Sequence, residues 1–120
     1  MAPRSTAVRA IPRPKRSWCP ISCALDILGD RWTLLVVRDL VLGKRRFAEF
    51  EASPEAIPTN ILADRLKRLV GSGFVSASRY CEHPPRVEYA LTAKGEDLRP
   101  MIRAMVEWGV RHAGGRTRPT

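Results

Sequence analysis

Clusters of long cationic side chains are the residues of this chain best suited to do chemistry, and the chemistry they suit is binding a polyanion. Such side chains bind nucleic-acid phosphates and supply affinity without sequence information. We predict phosphate contacts from these clusters, with a solvated surface charge as the alternative for Arg68. The candidates are Lys44, Arg45, Arg46, Lys67, Arg68, Arg79 and Arg86.

Short polar side chains between the basic clusters at residues 44–46 and 67–68 are candidates for reading bases. Base readout needs short or bidentate groups at the N-terminal end of a helix in the major groove. Asn60 suits adenine, Ala63 suits the thymine methyl group, and Thr59 lies beside them. Asp64 belongs to the same set, or else it stabilises the helix N-terminus through the dipole. Arg65 could reach guanine or a phosphate, with an internal ion pair as the alternative.

A helix must position these base-reading candidates. Residues 59–72 place Leu62, Leu66 and Leu69 on one stripe at helical spacing, and glycine follows. The polar candidates then lie on or beside the opposite face.

A small β-hairpin is predicted directly after this helix. Val87, Tyr89 and Leu91 alternate as a half-buried strand requires, and a turn around His83 and Arg86 precedes them. In a winged helix-turn-helix, a helix enters the major groove and the hairpin tip touches the backbone or minor groove. We therefore expect His83, Arg79 and Arg86 to lie near DNA.

Four further helices complete the predicted fold. We expect the first over residues 20–28, the second over 31–42 with Asp30 as its N-cap, and the third over 46–51. The last runs from the N-cap Thr92 to about residue 112, kinked by Pro100. The predicted fold class is mainly α with a small β-hairpin, an α+β winged helix-turn-helix.

Length and charge predict one domain and a polyanionic partner. The chain has 120 residues and a formal net charge of +9. Residues 1–17 carry basic residues and no acidic one, which predicts a disordered basic arm before a domain at 18–113. Residues 114–120 are predicted to form a flexible tail.

Several classes of function are disfavoured. No apolar stretch approaches the roughly 18 residues that span a bilayer, and an odd count of 3 cysteines without a secretory signal favours a reducing, cytoplasmic location. No nucleophile–base constellation or phosphate loop is present, so we expect neither an enzyme nor a cofactor. The spacing of Cys19, Cys23, Cys81 and His83 does not match a usual zinc knuckle, so we expect no metal site.

Five segments together resemble the HxlR-type family of winged helix-turn-helix transcriptional regulators, which is related to the MarR type. The resemblance covers about residues 19–109 and departs from the family pattern at Pro58, where relatives often carry a serine cap, and at Ser76-Ala77-Ser78, where relatives are often charged. The segments are Cys19-Pro20, residues 29–35 (Gly-Asp-Arg-Trp-Thr-Leu-Leu), Arg46-Phe47-x-Glu49-Phe50, Leu62-x-x-Arg65-Leu66-x-x-Leu69 and residues 84–95 (Pro-Pro-Arg-Val-Glu-Tyr-x-Leu-Thr-x-x-Gly).

The resemblance implies a homodimer through the first and last helices, with two recognition helices reading double-stranded DNA at a palindromic operator, and we expect a repressor. It also implies an oxidant-sensing role for Cys19, since some members sense oxidants through a cysteine there; a silent thiol is the alternative. Cys23 is expected to pack in the core. Trp32 and Trp108 are expected to be core or interface aromatics, with a small-molecule effector pocket between them as the alternative.

Two other binding functions stay open at this stage. A winged helix used as a protein-interaction scaffold predicts no salt-dependent affinity for DNA. A general DNA-coating protein predicts affinity without preference between sequences.

Overall fold

The computed structural model describes residues 17–116 as helices and one antiparallel hairpin. The predicted fold class is confirmed. The ends of the predicted arm and tail, residues 1–16 and 117–120, lie outside the described residues. The elements are α1 (Pro20–Leu28), α2 (Arg31–Val41), α3 (Phe47–Glu51), α4 (Thr59–Gly71), β1 (Val75–Glu82), β2 (Pro85–Leu91), α5 (Ala93–Glu96) and α6 (Arg99–His112).

The starts of the first two helices are set by a proline and by a capping aspartate. Pro20 occupies the first turn of α1, where a missing N–H costs nothing. Asp30 caps α2 as predicted, because its carboxylate accepts hydrogen bonds from the backbone N–H groups of Trp32 and Thr33.

The core lies between α2, α4 and the hairpin. Leu62, Leu66 and Leu69 form the buried stripe of α4, as predicted, and pack with Phe50 of α3. The ring of Phe50 also makes an edge-to-face contact with Tyr89 of β2, at 6.2 Å between centroids.

Glycine ends α4 sharply. Gly73 adopts φ 86°, and the backbone N–H of Phe74 donates to the carbonyl of Leu69 at 3.0 Å. This closure satisfies an unpaired helix carbonyl and turns the chain directly into β1. Only three residues therefore separate the end of α4 from the start of the wing.

The wing is hydrogen-bonded to the start of the helix-turn-helix. Arg46 forms an antiparallel bridge with Glu88 of β2, and the N–H of Tyr89 donates to the carbonyl of Arg45 at 2.8 Å. Between β1 and β2 the register shifts at Tyr80, which is left unpaired in a β-bulge. Segment 45–46 thus acts as a third, minimal strand.

The predicted last helix is two helices instead of one. Thr92 caps α5 as expected, accepting from the N–H of Gly95, but that helix ends at Glu96. Pro100 then lies in the first turn of a separate helix, α6, so the predicted kink is wrong. A tertiary contact accompanies the break: Gly95 is buried, and a Cβ there would lie 2.1 Å from the carbonyl oxygen of Phe74, the residue before β1.

Within residues 17–116, no helix is long and apolar enough to cross a membrane.

Candidate nucleic-acid interface

The outward face of α4 carries the predicted base-reading residues. Because Leu62, Leu66 and Leu69 are buried on the opposite side, Thr59, Asn60 and Ala63 are exposed near the start of the helix, with Lys67 further along. The helix begins at Thr59, as expected.

Proline at the cap position has a visible consequence. Pro58 provides no side-chain hydrogen bond to the helix N-terminus. The hydroxyl of Thr59 instead donates to a carboxylate oxygen of Glu51, at 3.1 Å, which ties α4 to α3.

Two arginines of α4 form ion pairs with acidic residues. Arg65 bonds the carboxylates of both Asp30 and Asp64, and Arg68 pairs with Asp64 at 3.0 Å. The internal ion pair considered for Arg65 is therefore present. Arg68 remains exposed, so its side chain is accessible for the predicted contact with a phosphate.

Two predicted phosphate-binding arginines gather at the wing. Arg46 contacts a carboxylate oxygen of Glu88 at 3.2 Å, and Arg45 lies 3.9 Å from the other oxygen. The guanidinium of Arg46 also stacks over the ring of Tyr80. Both arginines stay more than half exposed, so Glu88 holds them without shielding them from solvent.

Lys44 differs from its neighbours because it belongs to an internal network. Its Nζ donates to the hydroxyl of Ser53 at 2.8 Å and lies 3.6 Å from Asp39, a carboxylate that is only 1% exposed. The Ser53 hydroxyl in turn donates to Asp39. A buried carboxylate needs such partners, so Lys44 has a structural role here, and its contact with DNA stays a prediction.

Arg38 extends this network to the turn of the helix-turn-helix. It bonds Asp39 at 2.9 Å and holds both oxygens of Glu55, at 2.7 and 2.8 Å. The hydrogen bonds from Arg38 lower the pKa of Glu55 to about 2. The turn between α3 and α4 is thereby fixed to α2.

The wing tip presents exposed cations. Arg79 pairs with Glu82 at 3.3 Å, and His83 and Arg86 are exposed around the turn between the strands. Within residues 17–116, Arg86 has no carboxylate within ion-pair distance. All of the predicted interface residues that are exposed therefore lie on α4, on segment 45–46 or on the wing.

The thiols lie in two separate places. Cys19 is exposed at the N-cap of α1, and Cys23, half-buried one turn later, donates its thiol to the carbonyl of Ser17 at 3.8 Å. Cys81 is on the wing. Across the described part of the chain, no cluster of three or more potential metal ligands is present.

The two tryptophans lie in different environments, and neither lines the groove that the structure shows nearby. Trp32 packs against the core, whereas Trp108 is 62% exposed. A groove of about 400 Å³ lies instead between α1, α2 and α6, lined mainly by leucines and by Ile102, Met105 and Val106.

Sequence reasoning missed the acidic partners of the basic residues. Asp39, Glu55 and Glu88 organise Lys44, Arg38 and the pair at 45–46, but each is distant in sequence from at least one partner. The local signal for Glu88 was its place in the segment at 84–95; Asp39 offered only its unusual position within an apolar helix.

Comparisons with known proteins agree on one group. Residues 27–116 match the family described as HxlR-like helix-turn-helix. The uncharacterised HTH-type transcriptional regulator YybR of Bacillus subtilis (strain 168) is 35% identical over 96 residues, which cover 80% of this chain and 77% of YybR.

Two solved structures share the fold. The redox regulator HypR in its reduced form aligns with a TM-score of 0.73 and 34% identity, covering 79% of this chain and 94% of HypR. The reduced form of the transcriptional regulator YodB from B. subtilis aligns with a TM-score of 0.66 and 32% identity, covering 83% of this chain and 100% of YodB.

Proposed function

The chain belongs to the HxlR-like helix-turn-helix family and is a transcriptional regulator with a helix-turn-helix DNA-binding domain, and we propose that it represses transcription as a homodimer on a palindromic operator. Members of this group are DNA-binding regulators and not enzymes. The observation that carries the proposal is the set of exposed groups on these elements: short polar side chains at the start of α4, and cations on segment 45–46 and on the wing.

Recognition of bases falls to the first turns of α4. A helix N-terminus in the major groove brings Thr59, Asn60 and Ala63 to base edges, where Asn60 can bond adenine N6 and N7 together. Asp64 and Lys67 lie on the same exposed side. These residues supply discrimination, with affinity coming from elsewhere.

Affinity comes from the basic residues around α4. Arg45 and Arg46 lie beside Glu88 of the wing, and Arg79, His83 and Arg86 are exposed along the wing, which we propose to lie in the neighbouring groove. Each phosphate neutralised by such a side chain releases counterions, so binding weakens steeply with salt. Arg68, exposed at the far end of α4, and Lys44 complete the proposed set.

A second copy of the chain is the proposed occupant of the surface formed by α1 and α6. Large apolar side chains are exposed there, and the groove of about 400 Å³ opens between the same helices. Monomeric proteins rarely expose apolar patches of this kind. A two-fold dimer built on this face presents two α4 helices to two half-sites of one operator. The exposed apolar residues are Trp18, Ile21, Leu25, Met105, Val106, Trp108 and Val110.

Oxidants are the proposed signal, read by Cys19. Its thiol is exposed at the N-cap of α1, and HypR, a structure that aligns with this one, is a redox regulator. A peroxide converts the thiolate of an exposed cysteine to sulfenic acid with release of hydroxide. A polar group at this position in the dimer surface would alter the spacing of the two recognition helices.

Binding to DNA from upstream of the protein's own gene, against a scrambled control at several salt concentrations, tests the proposal. We expect a preference of about a thousandfold that falls steeply with salt, a dimer by sedimentation, and release by hydrogen peroxide. Equal binding to both DNAs, after selection from a random pool has also failed to yield a preferred site, would favour a DNA-coating protein. Absence of binding at low salt would favour a protein-interaction scaffold.

A further inference from the structure

One ion pair joins the recognition helix to the start of α2. Nε of Arg65 donates to Oδ1 of Asp30 at 3.1 Å, across 35 residues of sequence. The Arg65 side chain is 17% exposed, which makes it the least accessible arginine among the ion pairs of residues 17–116. The ion pair directs this half-buried guanidinium towards α2.

Asp30 is itself held rigidly. The same carboxylate caps α2, accepting from the N–H groups of Trp32 and Thr33, and the hydroxyl of Thr33 donates to its other oxygen at 2.6 Å. Burial acts to raise the pKa of Asp30, but the hydrogen bonds from Thr33 and Arg65 outweigh it and lower the pKa to about 2. Asp30 is therefore ionised at neutral pH and held by hydrogen bonds from Trp32, Thr33 and Arg65.

We propose that Arg65 is a positioning residue that sets the rotation of α4 about its own axis through Asp30, instead of contacting DNA. This inference rests on the proposed function, because the rotation matters only if α4 reads bases. The buried leucines hold α4 against the core by a non-directional force. A charge-assisted hydrogen bond has a defined direction and so fixes which side chains face the groove.

A second ion pair of Arg65 affects the side of α4 that is proposed to face DNA. Its Nη1 binds Asp64, which also pairs with Arg68. Asp64 lies on the side of α4 proposed to face DNA, where an unpaired carboxylate would repel phosphates. Arg65, which is directed towards Asp30 and away from the proposed DNA-facing side, neutralises the charge of Asp64. To read guanine, its guanidinium would have to release Asp30 and Asp64 together.

The experiment compares Asp30→Ser and Arg65→Gln with the wild-type protein on two DNAs: a site selected by the wild type from a random pool, and a scrambled duplex. Serine keeps the cap of α2 but is too short to reach Arg65. We expect both variants to lose about tenfold in discrimination between the two DNAs, the scale of one charge-assisted hydrogen bond. The double variant should lose no more than either single one.

Salt dependence separates positioning from contact. A residue that touches a phosphate contributes about 1 to the slope of log K against log salt. We expect Arg65→Gln to leave the slope unchanged, whereas the matched control Arg68→Gln should reduce it by about 1 and weaken binding to both DNAs equally. A reduced slope for Arg65→Gln would overturn the proposal, as would full discrimination in Asp30→Ser.

Folding is controlled by a conservative variant. Arg65→Lys keeps one charged hydrogen bond to Asp30 and should restore most of the discrimination, with thermal unfolding of every variant measured alongside. If Arg65→Lys folds normally yet discriminates no better than Arg65→Gln, the proposal is wrong. If the wild type shows no preference for any selected site, the proposed function itself fails.

Discussion

The guanidinium carbon of Arg46 lies 3.9 Å from the centroid of the Tyr80 ring. Tyr80 is the unpaired residue of the β-bulge in β1, and Arg46 is the N-cap of α3. A bulge re-aims the side chain that it carries, and here it aims an aromatic face at a cation on the helix-turn-helix. The start of α3 and the wing are thereby joined by a side-chain contact in addition to the backbone bridge.

Replacing Glu88 should strengthen binding to all DNA. Its carboxylate lies beside Arg45 and Arg46 on the proposed DNA face. Removal of one negative charge about 7 Å from a phosphate is worth about 0.6 kcal/mol in water, or about threefold in affinity. Glu88→Gln should show this gain for operator and scrambled DNA alike in titrations at low salt, and Glu107→Gln on α6 should not. Weaker binding by Glu88→Gln would mean that it is needed to orient the arginines.

Substitutions of Asn60 and Arg86 should separate discrimination from affinity. Asn60→Ala should cost about 1–3 kcal/mol on the preferred site and relax the preference at one base pair, because the bidentate bond is lost. Arg86→Ala should weaken binding to every sequence about equally and lower the salt slope by about 1. Competition with single-base variants of the operator measures both. No change in either variant would show that α4 and the wing do not lie in adjacent grooves.

Acid should destabilise the protein partly through Glu55. The folded state holds its pKa at about 2, below the ordinary value of 4.5. A depressed pKa contributes stability that is present above pH 4.5 and is lost as the pH falls towards 2. After allowance for solvent screening, this amounts to about 1–2 kcal/mol. Urea unfolding between pH 6 and pH 3 should therefore show a shallower loss for Glu55→Gln than for the wild type, and parallel curves would contradict the role given to Arg38.

Alanine at two glycines should have opposite effects on stability. A Cβ at Gly95 would lie 2.1 Å from the carbonyl oxygen of Phe74, so α5 must shift from the wing. We expect Gly95→Ala to cost about 1–3 kcal/mol. Gly71 has open space around it and a helical backbone, and Gly71→Ala should add about 0.5–1 kcal/mol. Chemical denaturation measures both, and an unaffected Gly95→Ala would show that α5 is not held against Phe74.

Oxidant response should depend on Cys19 and not on Cys23. Cys19 is exposed, whereas the half-buried thiol of Cys23 is directed to the carbonyl of Ser17. Cys19→Ser should bind DNA normally and resist release by hydrogen peroxide, while Cys23→Ser should remain sensitive. Gel-shift assays with and without peroxide, followed by reduction, provide the measurement. Release of Cys19→Ser by peroxide would assign the sensing to another residue.

Elements with local signals could be predicted from the sequence. The buried stripe of α4, the cap at Asp30 and the cap at Thr92 depend on residues within a few positions of one another. Propensity and capping act at that range. The positions of the exposed cations follow from the same elements, so most of the candidate interface could also be predicted from the sequence.

Long-range polar partners could not be predicted in the same way. Arg65 and Asp30 are 35 residues apart, and Arg38 and Glu55 are 17 apart. Nothing in their sequence spacing indicates contact. The break between α5 and α6 is also accompanied by a long-range contact, since Gly95 lies against Phe74, and Pro100 is compatible with a kink or a helix start.

In the proposed binding mode, the backbone hydrogen bond between Tyr89 and Arg45 makes affinity depend on the twist of the DNA. It fixes the wing to the helix-turn-helix, so the protein would set the separation between α4 in one groove and the wing in the next. Underwinding or overwinding of the duplex must then be corrected by the DNA, at an elastic cost that depends on its sequence. Binding to a relaxed operator and to the same operator in a supercoiled plasmid should differ for that reason, with the non-contacted base pairs between α4 and the wing determining by how much.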